Sequence, residues 1–384
     1  MDKKLVNLAL FVDFKKAFDL INPKLLFHKL FHYGFDNNSL NLFRNFFVDR
    51  VQVCKVNDSI SSPADIEIGL GKGFVTAPLL FLIYINDLSL NVDLKCFLFA
   101  DDTSLFDSGD SMDEAIVKFK SKLNPFLEWT KFNQLTINWT KTKFMVISRN
   151  KLDKPKFIKI SNEEIEIVEM FKLLGVKIDS CLTFKDHVKH IKAMVNQKLY
   201  ALRKLSFLAT SVKLQFFKSF ILPHFDYCSG LAVFYNKKQI NSIEKFFNVC
   251  LFRLFNFRLF SLTIFEQYYF LKQFNLLPIK MRYFFKFNTF IYKIINNCCL
   301  EKFRENISFI DRENVRFNSN QEIAEIKKVN SNFGKFSLSY FIPKFINEII
   351  RHSHNLMFFD FKSSIFTNMT ILYEKFVNKF SFFL

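Results

Sequence analysis

Two apolar runs in this chain stop at aspartates. "LVNLALFVDF" meets Asp13, and "LKCFLFADDTSLFD" turns over at Asp101 and Asp102. A short continuous apolar run bounded by a turn reads as a buried strand. Two such runs flanking an acidic dipeptide read as a hairpin with its carboxylates at the tip. Carboxylates at the ends of buried strands bear a desolvation cost, and neighbouring ones repel each other. The chain therefore needs a sheet that presents acids at one end. A divalent cation would compensate such a cluster. The plainer readings are a helix cap at Asp13 and an ordinary hairpin tip at Asp101-Asp102.

The surrounding pattern alternates strand and helix. "AFDLINPKLLFHKLFHYGF" predicts a helix opened near Asn22-Pro23 and closed at Gly34, with Leu26, Phe27, Leu30 and Tyr33 as its apolar stripe. A second helix is expected over about Ser39–Val48, and a strand over "VQVCKVN" with a turn at Asn57-Asp58. An apolar helix follows near Pro78–Leu88, then the acidic hairpin. Met112–Trp129 reads as an amphipathic helix interrupted by Pro125. "QLTINWTKTKFMVIS" and "FKLLGVKID" read as strands. Lys185–Leu205 places Val188, Ile191, Val195, Leu199, Leu202 and Leu205 at helical spacing beside Lys185, Lys189, Lys192 and Lys198. Beyond residue 207 the segments are mostly helical and rich in Phe, and Glu301–Lys328 is the most loop-like portion.

Charge narrows the partners. The net charge is +18, which favours polyanionic partners or anionic membrane surfaces, with nucleic acid ahead of membrane. The apolar run Ala77–Ile85 is too short to span a bilayer, and the N-terminus lacks a secretory pattern, so an intracellular protein, nuclear or cytoplasmic, is expected with no membrane partner. The cysteines form no CxxC pair and no zinc-type spacing. Phe numbers 55, so any single Phe is first of all core material.

"GLGKG", Gly69–Gly73, invites a phosphate-loop reading. That reading fails on spacing, because no Gly stands five residues before Gly71 and no Ser or Thr follows Lys72.

The segments "LFVDFKKAFDLINPKLLFHKL", "PLLFLIYINDL", "FLFADDTSLF", "LTINWTKTKFMVIS" and "FKLLGVKIDSCLTFKDHV" stand in the order found in reverse transcriptases. The chain resembles the polymerases of non-LTR retrotransposons (LINE elements) of the jockey and RTE type. "SFILPHFDYCSGLAVF" and "NLLPIKMRYFFKFNTFIYKIIN" resemble the region that follows the polymerase core. The resemblance implies an α+β fold: a right-hand polymerase palm, an antiparallel sheet with helices, followed by a helical thumb and a mostly helical C-terminal region. The expected division is 1–150 for the palm, 151–235 for primer-grip strands and thumb, and 236–384 for the helical region.

It also implies the chemistry: an RNA-directed DNA polymerase that uses an RNA template, a DNA primer and dNTPs, without a small-molecule organic cofactor. Asp13, Asp101 and Asp102 would be the catalytic carboxylates and hold two Mg²⁺ ions, with Mn²⁺ as the substitute ion; Asp102 is the less indispensable of the pair. In such two-metal chemistry one ion activates the attacking oxygen and the other stabilises the leaving one. Phe18 matches the position under the incoming sugar, where a bulky ring leaves no room for a 2′-OH. Gly73 and Lys141 would meet the nucleotide, and Leu174 and Gly175 would form the turn that grips the primer. Lys185, Lys189 and Lys192 would face the nucleic-acid backbone, which makes binding salt-dependent.

The sequence departs from the family in two places. The resemblance sets in just before Asp13, so the fingers and the endonuclease domain that precede it in such proteins are expected to be missing. In the template-and-nucleotide loop, Gly71 stands where Pro is usual, Lys72 where Gln is usual and Phe74 where Ser is usual. Bulk at Phe74 is expected to obstruct the pocket, while Lys72 is a further candidate for a phosphate. The alternative function is an inactive retrotransposon fragment acting at most as a non-catalytic nucleic-acid-binding protein.

Overall fold

A computed structural model describes residues 5–71, 73–148 and 152–295, together with 309–310, 323–324 and 373. Lys72 and nearly all of Glu301–Lys328 lie outside the described residues, so the expectations placed on them do too. The chain forms two compact units, one over Lys3–Phe171 and one over Lys172–Leu384.

The first unit is built on strand β1 (Val6–Val12). Short pieces follow: helices α1 (Pro23–His32) and α2 (Asn37–Phe47), then two-residue strands β2 (Val51–Gln52), β3 (Lys55–Val56), β4 (Ser59–Ile60) and β5 (Ala64–Asp65). Helix α3 (Ala77–Ile85) leads to the hairpin of β6 (Lys95–Phe99) and β7 (Asp102–Gly109). Helix α4 (Met112–Phe132) and strand β8 (Lys143–Ile147) complete the frame. The four longer strands make one antiparallel sheet in the order β6-β7-β1-β8. Helix α4 packs across β7 and β1, and its Phe119 meets Phe144 of β8 edge to face. Leu8, Leu10, Leu105, Phe126 and Phe144 form the buried layer of this core. Strands β9 (Phe157–Ile160) and β10 (Glu163–Glu166) add a small hairpin.

Local signals set several boundaries as expected. Asn22 caps α1 by accepting from the Lys24 N–H, with Pro23 at the first helical position. Leu26 and Leu30 are buried, but Tyr33 is the C-cap and stays 48% exposed, so the apolar stripe ends one turn early. "VQVCKVN" is not one strand. The Ser61 hydroxyl accepts from the Cys54 N–H at 2.9 Å, and this intrusion breaks the ladder into β2–β5 and β3–β4.

Helix α4 does not stop at Pro125. A proline leaves the carbonyl four residues back unpaired, here that of Ser121, which is exposed and therefore open to water. The strand expected from Gln134 shrinks to β8, because the Lys141 and Thr142 N–H groups both turn back onto the Asn138 carbonyl.

The chain passes into the second unit through strands β11 (Met170–Leu173) and β12 (Val176–Asp179). Helices α5 (Lys185–Lys204), α6 (Thr210–Phe216), α7 (Leu222–Asp226), α8 (Lys237–Phe255), α9 (Ile264–Lys272) and α10 (Ile279–Ile295) follow. The α5 stripe of Val188, Ile191, Val195, Leu199 and Leu202 is buried as its spacing requires. Helix α8 packs against α5, α6 and α10, and Phe217, Phe225, Phe247, Phe284 and Phe287 fill the space between them.

One buried polar group in this core makes stability depend on pH. His187 on α5 is 2% exposed, and neither ring nitrogen has a hydrogen-bond partner among the described residues. Burial first, then the charges of His190 and Lys177, hold its pKa below the ordinary histidine value. The unfolded chain therefore takes up the proton before the folded one, so stability is full above the unfolded pKa and falls as pH drops below it. His190 and His224 are shifted the same way by burial and nearby cations. Melting temperature should fall between about pH 7 and 5, and His187→Leu should flatten part of that slope. A wild-type melt that is level over this range would contradict the account.

Candidate active site

Strand β1 delivers Asp13 at its C-terminal end, beside the tip of the β6–β7 hairpin. The register pairs Val12 with Thr103, so the residue after Val12 emerges next to the turn. That turn holds two residues, Ala100 and Asp101, between the paired Phe99 and Asp102. Ala100 sits in the left-handed region at φ 51, a costly conformation for a residue with a Cβ.

The Asp13 backbone is fastened to a distant loop. The Asn138 N–H donates to the Asp13 carbonyl at 2.7 Å, the Lys15 N–H to the Thr136 carbonyl at 2.8 Å, and the Asp13 N–H to the Thr142 hydroxyl at 3.3 Å. This stapling carries Lys141 to the same place. Asp13, Phe18, Asp101 and Lys141 line one cavity of about 720 Å³, with Lys15, Lys16, Asp19 and Asn138 among the others.

Phe18 lies on a 3-10 turn, Ala17–Leu20. Its ring stacks on Phe81 of α3 at 4.5 Å between centroids. Behind it, the Gly69 N–H donates to the Ile21 carbonyl at 2.7 Å and the Leu70 N–H to the Phe18 carbonyl at 2.8 Å. The Gly69 carbonyl in turn accepts from the Arg50 guanidinium at 2.8 Å. The first glycine of "GLGKG" is thus a strap holding the Phe18 segment. Gly69 has φ +88, and a Cβ there would stand 2.7 Å from the Asp19 carbonyl oxygen.

The other departures in this loop explain each other. A Cβ at Gly71 would stand 1.6 Å from the Phe74 ring, so the ring occupies the space a side chain at residue 71 would need. Phe74 also contacts Phe46 of α2, with centroids 4.3 Å apart, and does not line the cavity. The expectation that Phe74 obstructs the pocket is therefore not met: Gly71 makes room for the ring elsewhere. Gly73, with φ +87 and open space where a Cβ would stand, is a free turn and does not line the cavity either.

Asp102 feels the other two acids. Its residue is exposed as a whole, yet partial burial of its carboxyl, followed by the charges of Asp101 and Asp13, raises its pKa above the ordinary carboxylate value. Mutual repulsion of this kind is what a divalent cation relieves, so the donor set fits Mg²⁺ in its chemistry. Among the described residues, no group of three or more His, Cys, Asp or Glu is drawn together closely enough to form a finished metal cage.

The remaining predicted residues lie in the second unit. Leu174 and Gly175 form the two-residue connection between β11 and β12, both in the left-handed region at φ 46 and 84. Lys185 and Lys189 are exposed, and Lys189 pairs with Asp186 at 2.9 Å. Lys192 is half-buried, bonded to the Ser242 hydroxyl and lying over the Phe246 ring, so it is committed to packing on α8. Reading the sequence alone missed Lys15, Lys16 and Asn138. The first two adjoin Asp13 in "VDFKKAF" and were open to notice, whereas Asn138 acts through its backbone and has no side-chain signature.

Residues 1–178 match the family described as "Reverse transcriptase (RNA-dependent DNA polymerase)". The probable RNA-directed DNA polymerase from transposon X-element of Drosophila melanogaster is 25% identical over 259 residues, covering 62% of this chain and 27% of that protein. The RNA-directed DNA polymerase from mobile element jockey of Drosophila melanogaster is 24% identical over 259 residues, 64% of this chain and 28% of that protein. The chain thus spans under a third of the length of these relatives. A telomerase structure from Candida albicans aligns over 65% of this chain and 44% of its own at 15% identity and a TM-score of 0.31, too loose an overlap to argue from. No helix among the described residues is long and apolar enough to cross a membrane.

Proposed function

We propose that this chain, whose residues 1–178 belong to the reverse transcriptase family, is an RNA-directed DNA polymerase of the non-LTR mobile-element kind. One observation carries the reading: Asp13 and Phe18, Asp101, and Lys141, from three separate stretches of the sequence, line a single cavity. In this reading the sheet β6-β7-β1-β8 with its helices is the palm over 1–150, β11, β12 and α5 belong to the primer-grip and thumb portion over 151–235, and 236–384 is the helical region beyond. The nucleic-acid partners are an RNA template and a DNA primer, with dNTPs as substrates.

Asp13 and Asp101, with Asp102 beside them, would hold the Mg²⁺ ions. Bound there, the ions would polarise phosphoryl oxygens and lower the pKa of the attacking hydroxyl. The chain's own part is positioning. The Asp13 backbone is clamped by Asn138 and Thr142, so the carboxylate is presented from a fixed point. Lys141, on the loop so clamped, places a cation where a triphosphate's charge would gather. Phe18, backed by Phe81, sets a wall against the sugar.

Primer extension with an RNA template, dNTPs and Mg²⁺ tests this directly; no extension at any protein concentration would overturn it. The wall makes a separate prediction. Phe18→Val should raise incorporation of rNTPs relative to dNTPs by roughly 10- to 100-fold, the order by which a packed pocket discriminates on the bulk of one small group. Unchanged sugar discrimination in an active Phe18→Val variant would remove Phe18 from the role.

A further inference from the structure

We propose that Tyr227 is a positioning residue for the nucleic-acid end met by the Leu174–Gly175 turn. The inference rests on the polymerase reading and adds a residue to it.

The turn is strained by its own sequence. A two-residue connection with both residues left-handed suits the twist of a β-hairpin, but it favours Asn or Asp followed by Gly. Here the first position is Leu174, at φ 46. A side chain with a Cβ is disfavoured there, because the Cβ crowds the following carbonyl oxygen. Burial does not compensate, because Leu174 is 38% exposed. Such a conformation persists only where the surroundings over-determine it.

Tyr227 supplies that constraint. It is the first residue beyond α7, where its N–H donates to the Pro223 carbonyl at 2.9 Å and the helix ends. Its hydroxyl donates a hydrogen bond to the Leu174 carbonyl across 53 residues of sequence. Its ring edge also lies on Gly175: a Cβ there would stand 3.3 Å from the ring Cε1 and 3.7 Å from the hydroxyl oxygen. One side chain therefore holds the carbonyl of the first turn residue and covers the second.

The placement argues for orientation rather than core stability. Tyr227 is 52% exposed, so losing its hydroxyl leaves no buried polar group unpaired. The strands on either side keep their own pairing. What the hydroxyl fixes is the direction of an exposed apolar side chain at a turn tip. Lys172 and Lys177 flank that tip and, adding to burial, make its surroundings positive enough to disfavour the charged form of the nearby His190, which suits a sugar-phosphate end. The nearby Asp186 is paired with Lys189 and also feels Lys177, so it offsets only part of this charge. An apolar contact on a sugar beside cations for its phosphates, held in a single direction, is a device for placing a terminus. Small misplacement of a terminus is costly to any reaction at it.

The test uses the full chain and a DNA primer on an RNA template, either with a recessed 3′ end or blunt. Binding is followed by fluorescence anisotropy, so no catalysis is needed. Wild-type protein should prefer the recessed end. Tyr227→Phe should lose that preference by roughly 5- to 10-fold, the worth of one hydrogen bond. Its affinity for the blunt duplex should stay unchanged, and its melting temperature should fall by no more than the loss of one exposed hydrogen bond allows. Tyr227→Ala should lose more, since the cover over Gly175 goes as well. Should Tyr227→Phe keep the full preference, or lose blunt-duplex affinity in equal measure, the positioning role is overturned while the polymerase reading stands. Should the wild-type chain neither prefer nor extend the recessed end, the polymerase reading fails and takes this inference with it.

Discussion

Asp101→Ala should lower primer extension by roughly 10³-fold or more, about 4 kcal/mol of transition-state stabilisation. Asp101 faces the cavity with Asp13, and two carboxylates on one cavity are the least that can bring metal ions to a reacting phosphate. The same substitution should leave the fold intact. Asp101 is exposed on a two-residue turn whose left-handed strain falls on Ala100, so Ala is sterically admissible. It also removes the charge that, after burial, most raises the Asp102 pKa. The Asp102 carboxyl should therefore titrate at lower pH in the variant, observable by NMR of its side-chain carbon. Asp102→Asn should cost less activity, because Asp102 does not line the cavity. Full activity in Asp101→Ala, or equal losses in the two variants, would show that the cavity is not the site of chemistry.

The second large effect is structural and comes from the loop that first suggested a phosphate cradle. Gly69→Ala should destabilise the first unit by roughly 2–4 kcal/mol, of which about 1 is the left-handed backbone and the rest overpacking. The new Cβ would stand 2.7 Å from the Asp19 carbonyl oxygen and 3.0 Å from the Asp19 Cα, both backbone atoms that cannot swing aside. The segment displaced carries Phe18, so sugar discrimination should fall along with stability. Its neighbours are built-in controls. Gly73→Ala should cost only the backbone term, since nothing lies within 4 Å of its Cβ. Gly71→Ala meets the Phe74 ring, a side chain that can turn away, so it should fall between the two. Chemical denaturation of the three variants gives the ranking, and an equal effect at all three positions would refute the strap.

These cases show where sequence reading holds and where it ends. Asn22, Pro23 and Gly34 mark α1 because caps act within a few residues of the helix they bound. The α5 stripe and the acidic hairpin are legible for the same reason: helical and strand periods are local. Net charge and the strand-end acids together suggested the class of chemistry proposed above. Which of 55 Phe residues would wall a cavity is not local. Phe18 owes its place to Phe81 at its back and Leu70 on its carbonyl, each more than 50 positions away.

The glycine loop makes the division plain. From its spacing, the sequence excluded a phosphate loop, and from its order along the chain it suggested an altered nucleotide pocket. Only packing decided what each residue does: Gly69 stands against the Asp19 backbone, Gly71 lies under Phe74, and Phe74 turns toward Phe46. Likewise the acids at Asp13 and Asp101 were readable, but their joining with Lys141 depends on two backbone–backbone hydrogen bonds and one to the Thr142 hydroxyl, all from the Thr136–Thr142 loop. Backbone hydrogen bonds between distant segments carry no residue preference, because every residue but proline offers the same N–H and C=O. A sequence therefore announces its charges, caps and periods, while the close approach of one main chain to another is settled only when the core packs.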